Sequence, residues 1–213
     1  MSTRPQHNSN AFAFNGEKFV LTAPPHAGAA AAVIHNIQGK RLRTLGIKQR
    51  FATPLAWEEG VNAAFWVWDG SFWYSLNKFK PLLIKYHPDF KEAARFELGG
   101  EQIGDSETYI YDMAGDPQRI LPPIFSDFKV FRGDIYTMSR DALFHFDGKN
   151  GALKRKIKFF GRGEDFKDVE NLPLTLPLFL FLNDGQLILA HPGQPWNHNL
   201  WTVELPPIDK NRS

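Results

Sequence analysis

Cysteine is absent from this chain of 213 residues. Its absence excludes disulfide bonds, cysteine-ligated zinc sites and thiol catalysis. An excess of one charge is almost absent as well, since 25 Lys and Arg face 23 Asp and Glu, for a formal net charge of +2. So small a positive excess predicts no nucleic-acid partner.

Long hydrophobic runs are also lacking. The longest, from Leu172 to Leu182, contains two prolines and ends at Asn183, well short of the roughly 20 apolar residues that span a bilayer. We therefore expect no membrane span. Residues 1–10 are polar and hold no apolar segment of a secretory signal, so we expect a polar tail and, by default, a cytoplasmic location.

Aromatic residues are plentiful at 14% of the chain, beside 43% hydrophobic and 23% charged residues, which indicates an ordinary folded protein. Two apolar, aromatic-rich arms between Asn62 and Leu76 meet at Asp69-Gly70, a dipeptide typical of a tight hairpin turn. Trp66, Trp68 and Trp73 lie on both sides of this turn. We expect them to occupy alternating faces and to serve packing, not carbohydrate stacking.

The hairpin is repeated along the chain. Four turn glycines, 54, 63 and 52 residues apart, each join two apolar arms: Gly16, Gly70, Gly133 and Gly185. A third apolar run follows each hairpin, and in three copies a fourth strand of mixed basic and apolar residues follows. Four strands with the most charged one outermost are what a β-propeller blade requires.

One repeat carries a resemblance to a known family. Between Phe128 and Ile157 the chain has an apolar strand, a glycine turn, Ile135-Tyr136, a Leu-Phe-x-Phe-Asp run ending at Asp147, and a basic strand. This order resembles the blades of NHL- and YWTD-like six-bladed β-propellers, and as a spacing pattern it covers residues 10–205.

The resemblance implies an all-β fold: a β-propeller or partial propeller of about four four-stranded antiparallel blades. We expect one domain over 11–207, with blades at about 11–47, 61–98, 126–160 and 176–205 and tails at 1–10 and 208–213. Two features depart from the family: only four blades are found, and Pro206-Pro207 ends the fourth before an outer strand.

A propeller places the loops between second and third strands on the same face as those between blades, so one functional face is predicted. Cationic loop residues would bind an anionic group beside a Trp, with Phe79 adding to the apolar wall. Three histidines are candidates for metal or base chemistry, although their spacing matches no ligand motif. The predicted ligand-binding residues are His26, Lys78, Lys80, Arg140, His191, Trp196 and His198.

Other charged and histidine residues are interpreted as structural. The basic run from Lys154 to Lys158 alternates as the solvated face of an edge strand would. His35 and His145 lie within third strands and are predicted to be hydrogen-bonded packing residues. No metal site is predicted, and no cofactor is indicated.

Three functional hypotheses remain open. The first is a non-enzymatic binding or scaffold propeller that uses its loop face for a protein or a small anionic ligand. The second is a metal-assisted hydrolase or lactonase with its site at the propeller axis. The third is a fragment of a larger propeller without independent activity. The incomplete fourth blade also suggests a homo-oligomer.

Overall fold

The computed structural model describes residues 12–23, 29–48, 62–98, 124–139, 142–158, 178–181, 186–192 and 198–203. Every regular element in these ranges is a β-strand, and no helix long and apolar enough to cross a membrane occurs in them. The strands of blades 1 and 2 are β1 Phe12–Phe14, β2 Lys18–Thr22, β3 Ala30–Asn36, β4 Arg41–Ile47, β5 Ala64–Trp68, β6 Trp73–Asn77, β7 Leu82–Tyr86 and β8 Glu92–Glu97. Those of blades 3 and 4 are β9 Asp127–Phe131, β10 Asp134–Ser139, β11 Ala142–Phe146, β12 Leu153–Lys158, β13 Leu178–Phe181, β14 Leu187–Pro192 and β15 His198–Val203.

The strands form four consecutive antiparallel sheets. Three of them are four-stranded meanders, β1-β2-β3-β4, β5-β6-β7-β8 and β9-β10-β11-β12, and the fourth is the three-stranded sheet β13-β14-β15. The all-β, propeller-like fold is confirmed, and in the described residues blade 4 has the three strands that the sequence predicted.

The first strand of each blade contacts the first strand of the next, in the order β1, β5, β9 and β13. These four strands are therefore central, and the sheets radiate from them. Two apolar cores lie between successive sheets. One fills the space between blades 1 and 2 and the other the space between blades 2 and 3.

The aromatic hairpin of blade 2 packs differently from our prediction. Trp66, Trp68 and Trp73 all face blade 1, whereas Phe65 and Tyr74 face blade 3. The prediction of alternating faces was wrong, because Trp68 pairs directly with Trp73 across the hairpin and cross-strand partners share a face. The prediction that these indoles serve packing is confirmed, since Trp66 and Trp73 are buried.

The turn of this hairpin has four residues, Asp69 to Phe72, and not the two that the dipeptide suggested. Only Gly70 takes a positive φ, +99°. The Asp69 carboxylate accepts hydrogen bonds from the backbone N–H of Ser71 at 2.8 Å and of Phe72 at 2.7 Å. Asp69 thus closes the turn with its side chain, as short polar residues do in loops.

Candidate anion-binding site on the loop face

The loops between second and third strands lie beside the segments that join successive blades. Leu98, after β8, donates a backbone hydrogen bond to the Pro81 carbonyl at 2.6 Å. Ile124, before β9, donates one to the carbonyl of Lys78 in the loop after β6 at 2.8 Å. The common face predicted from the propeller pattern is therefore present, and we call it the loop face.

The loop that follows β6 is held rigidly on this face. The side-chain oxygen of Asn77 accepts hydrogen bonds from the N–H of Phe79 at 2.8 Å and of Lys80 at 2.9 Å. Asn favours such turns because its short amide reaches the backbone two and three residues on. Phe79 is buried and so does not offer the open apolar wall that we expected.

Lys78 joins this loop to both neighbouring central strands. Its N–H donates to the Ala63 carbonyl at 3.0 Å, just before β5. Its carbonyl accepts from the N–H of Ile124 at 2.8 Å and of Phe125 at 3.1 Å, just before β9. The backbone of Lys78 is thus fixed between the inner ends of blades 2 and 3.

The Lys78 side chain also turns toward the centre. Its ammonium lies 4.5 Å from the ring centroid of Phe65 in β5, a cation–π contact. Burial lowers the pKa of Lys78, and the nearby Asp127 carboxylate partly opposes that change. A lowered pKa is typical of a lysine that is partly removed from water, and such lysines occur at functional sites more often than elsewhere.

Asp127 opens the central strand β9 and is only 2% exposed. Its carboxylate accepts a hydrogen bond from the Phe128 N–H at 2.8 Å and forms a salt bridge with the Lys129 ammonium at 3.0 Å. The Lys129 side chain remains 24% exposed. A carboxylate in this position is compensated by its partners, which burial of a charge requires.

Lys78, Asp127 and Lys129 form what we call the axial charge cluster. The Asp127 carboxylate acts on both ammonium groups, and reduced exposure to water strengthens the electrostatic interactions of these charges. The sequence analysis missed Asp127 and Lys129. Their spacing of two in an apolar strand was the available signal, because it places both on the face opposite Phe128.

Of the other predicted site residues, the structure describes Lys80, His191 and His198. Lys80 lies in the same loop as Lys78, whereas His26, Arg140 and Trp196 lie outside the described residues. His191 and His198 belong to strands β14 and β15, with His198 paired to Pro192, so these two candidates lie at strand ends and not within the loop between the strands.

A second charged network lies at the opposite edge of blade 3. The Nε2 atom of His145 lies 2.8 Å from an Asp134 oxygen, and Arg155 Nε donates to Nδ1 at 3.1 Å. Because Arg can only donate, Nδ1 must accept and Nε2 must carry the proton, so the imidazole is neutral. Lys154 completes the network with salt bridges to Asp134 at 2.8 Å and Asp147 at 3.1 Å.

This network is structural. His145 is 0% exposed and stacks on Tyr136 with ring centroids 4.3 Å apart. Burial lowers the pKa of His145, with the Asp134 carboxylate opposing. His35 also makes a hydrogen bond, 2.9 Å from Nδ1 to the Gly39 carbonyl. Both histidines are the hydrogen-bonded strand residues that the sequence predicted.

Metal chemistry finds no support in the part of the chain that the structure describes. Among those residues no group of three or more His, Asp or Glu side chains is placed to hold a metal ion. On the loop face, the described residues contain the axial charge cluster instead of a metal site.

Comparison with known proteins supports the fold. No family model and no curated protein matches the chain. Among solved structures, streptogramin B lyase matches with a TM-score of 0.50 and 9% identity over 96% of this chain and 57% of the lyase. Virginiamycin B lyase from Staphylococcus aureus matches at 0.46 and 9% over 94% and 58%, and Myxococcus xanthus glutaminyl cyclase at 0.47 and 12% over 91% and 73%. The match to streptogramin B lyase supports a partial β-propeller fold for this chain. The chain spans under two thirds of either lyase.

Proposed function

We propose that this protein is a non-enzymatic binding protein that receives an anionic group, of a small ligand or of a protein segment, at the axial charge cluster. The propeller fold alone does not favour this role, since one fold hosts many unrelated functions. The observation that carries the proposal is the position of Lys78, whose backbone is fixed between two central strands and whose ammonium is partly desolvated beside Phe65.

The cluster has the properties that anion binding needs. Lys78 and Lys129 supply ammonium groups that can donate to an anion, and the rigid loop means that little conformational entropy is lost when the anion binds. Lys80 adds a further cation in the same loop. The hydrolase hypothesis needs a metal or a nucleophile, and no specific contact among the described residues favours it.

The first experiment measures calorimetric binding of citrate and inorganic phosphate, as small anions, and of a tetraglutamate peptide, as a protein-like anion. We expect Lys78→Gln to weaken binding of whichever probe binds by roughly 10-fold, as loss of a charge-assisted hydrogen bond would. Raising the salt concentration should weaken binding by the wild-type chain as well, because part of the cluster is exposed.

The matched control is Lys91→Gln. Lys91 lies in the same blade at the opposite edge, between β7 and β8, and its side chain is 81% exposed. This variant changes net charge equally but should bind as the wild type does. Equal affinity of the Lys78 variant and the wild type, or equal losses in both variants, would show that the axial charge cluster does not bind the anion.

A further inference from the structure

Blade 1 is covered by a neighbouring sheet on only one of its faces in the described part of the chain. On the covered face, Val20 and Ile34 are 0% exposed against blade 2. On the other side, Phe14 is 44% exposed and Ile37, in the turn after β3, is 56% exposed. An open apolar face of this kind is a feature of protein–protein contact sites.

The uncovered face is equivalent to a face that is covered in blade 2. Phe14 pairs with Phe19 across the four-residue turn of blade 1, as Trp68 pairs with Trp73 in blade 2. Both pairs are in ring contact, with centroids 4.4 Å and 4.9 Å apart. Trp73 is 0% exposed because blade 1 packs against it, whereas its counterpart Phe19 is only partly buried. Phe14 is 44% exposed, and its counterpart Trp68 is partly buried.

A groove marks the place where this cover is missing. It has a volume of about 380 Å³ and is lined by Phe19, Leu21, His35, Asn36, Ile37 and Gly39. Gly39 takes the turn position that Phe90 takes in blade 2, since each donates to the carbonyl three residues earlier. Phe90 stacks on Trp73 with centroids 5.1 Å apart, whereas Gly39 has no side chain and leaves the groove open.

Blade 4 is a sheet whose composition suits it to cover the uncovered face of blade 1. Its strand β13 and the first four residues of β14 contain only apolar residues, a composition typical of a sheet that is covered on both faces. Blade 3 lies on one side of it, because β13 contacts β9. Among the described strands, the extensive contacts between central strands run from β1 to β13, and none of comparable extent joins β13 to β1.

We propose that two copies of this chain close a common ring, with blade 4 of each copy packed on the uncovered face of blade 1 of the other. The contact repeats the packing of blade 1 on blade 2, so it continues an interface that the molecule already has. A two-fold axis makes the two contacts identical, and a closed pair leaves no face free for further growth.

The molecular mass in solution tests whether two copies associate. By light scattering after size-exclusion chromatography at a series of protein concentrations in the micromolar range, we expect twice the chain mass of 24.3 kDa. A monomer throughout this series overturns the proposal, and so does a succession of larger masses, because an open chain of contacts would not close.

Substitutions on each face of blade 1 locate the contact. Phe14→Asp and Ile37→Asp place a charge on the uncovered side and should raise the dissociation constant of the pair by roughly 100-fold or more, as burial of an unpaired charge at an interface would. Ile47→Asp is the control: Ile47 is 84% exposed in the same sheet, and its register with Ala30 assigns it to the face toward blade 2. Unchanged circular dichroism shows that each variant is folded. A pair that survives both substitutions, or that Ile47→Asp disrupts equally, overturns the proposal.

Cross-linking identifies the partner sheet, and the absence of native cysteine makes it specific. Where blades 1 and 2 meet, the Lys18 ammonium of blade 1 lies 5.8 Å from the centroid of the Phe90 ring of blade 2. Gln186 occupies the position of Lys18 in blade 4, because it precedes Leu187 as Lys18 precedes Phe19. In the proposed contact, Gln186 of one copy therefore faces the turn of the other copy that contains Ile37. An equimolar mixture of Ile37→Cys and Gln186→Cys chains should therefore form a covalent heterodimer with a short bis-maleimide. Either variant alone should not. Cross-linking of Ile37→Cys with itself overturns the proposal, because it would mean that two copies of blade 1 face each other.

Discussion

Two ionisable side chains of blade 3, Asp127 and His145, are almost fully buried at opposite edges of the sheet. Each is compensated, Asp127 by an ammonium and His145 by a carboxylate and a guanidinium. Both networks include partly exposed charges, Lys129 at 24% and Lys154 at 28%, so exposure does not distinguish them. They differ in position, because Asp127 lies on the loop face beside Lys78 and His145 lies at the opposite edge of the sheet.

The neutral His145 predicts how stability depends on pH. Its pKa in the folded chain lies below the ordinary value of 6.5, so the unfolded chain takes up a proton first as the pH falls. The contribution of His145 is therefore complete above about pH 6.5. It decreases as the pH falls below that value and levels off only below the folded-state pKa.

Urea unfolding of the wild type and of His145→Gln from mildly acidic to mildly alkaline pH measures this contribution. Gln keeps a donor for Asp134 but does not titrate. We expect the variant to be less stable by roughly 1–3 kcal/mol at the alkaline end, and the difference to shrink on acidification. A difference that stays constant with pH would mean that His145 is not held neutral.

At the scale of the element, the close approach of neighbouring blades restricts which residues a turn can contain. Gly151 follows β11 with φ +73°, and a Cβ atom there would lie 2.8 Å from the Cβ of Phe96 in β8. Gly39 has a similar φ of +78°, but a Cβ atom added to it would meet no heavy atom within 4 Å. The two glycines share the backbone requirement and differ in what surrounds them.

Gly151→Ala should therefore destabilise the protein more than Gly39→Ala. Positive φ alone costs a non-glycine residue about 1–2 kcal/mol, and overpacking against Phe96 adds typically about 1–3 kcal/mol. Chemical denaturation of both variants gives the comparison. Equal losses would mean that the contact between blades 2 and 3 yields to an added methyl group.

At the scale of the whole molecule, the sheets depend on one another. The two cores share blade 2, which turns apolar side chains to both of its neighbours: Trp66 and Trp73 belong to one core, Phe65 and Tyr74 to the other. A single repeat unit of this kind cannot bury its apolar faces without its neighbours. We therefore expect the described blades to unfold together.

Truncation of one large residue in each core tests this coupling. Ile34→Ala, in the core between blades 1 and 2, and Leu83→Ala, in the core between blades 2 and 3, each remove a side chain with 0% exposure. Each should lower the free energy of unfolding by about 2–5 kcal/mol, and Trp fluorescence and circular dichroism should still report one coincident transition. An early, separate transition seen by Trp fluorescence in the Ile34 variant would mean that blade 1 unfolds independently.

The order of the repeats was determined by the amino-acid sequence itself. Glycine turns between apolar arms, such as those at Gly70 and Gly133, mark hairpins because positive φ and alternating burial are local requirements. Basic outer strands and the short fourth blade followed from the same local pattern. The sequence also predicted that Lys78 lies on the loop face, because the order of the strands determines which loops lie at the same edge of the sheets.

Only the tertiary structure decided which side chains meet. No local pattern indicated that Lys78 of blade 2 would lie beside Asp127 of blade 3, because contacts between blades depend on how sheets are rotated about the axis. The shared face of Trp66, Trp68 and Trp73 depended on the length of one turn, and the uncovered face of blade 1 on which sheets are neighbours. Local periodicity determines what each strand buries, whereas the stacking of sheets determines what it is buried against.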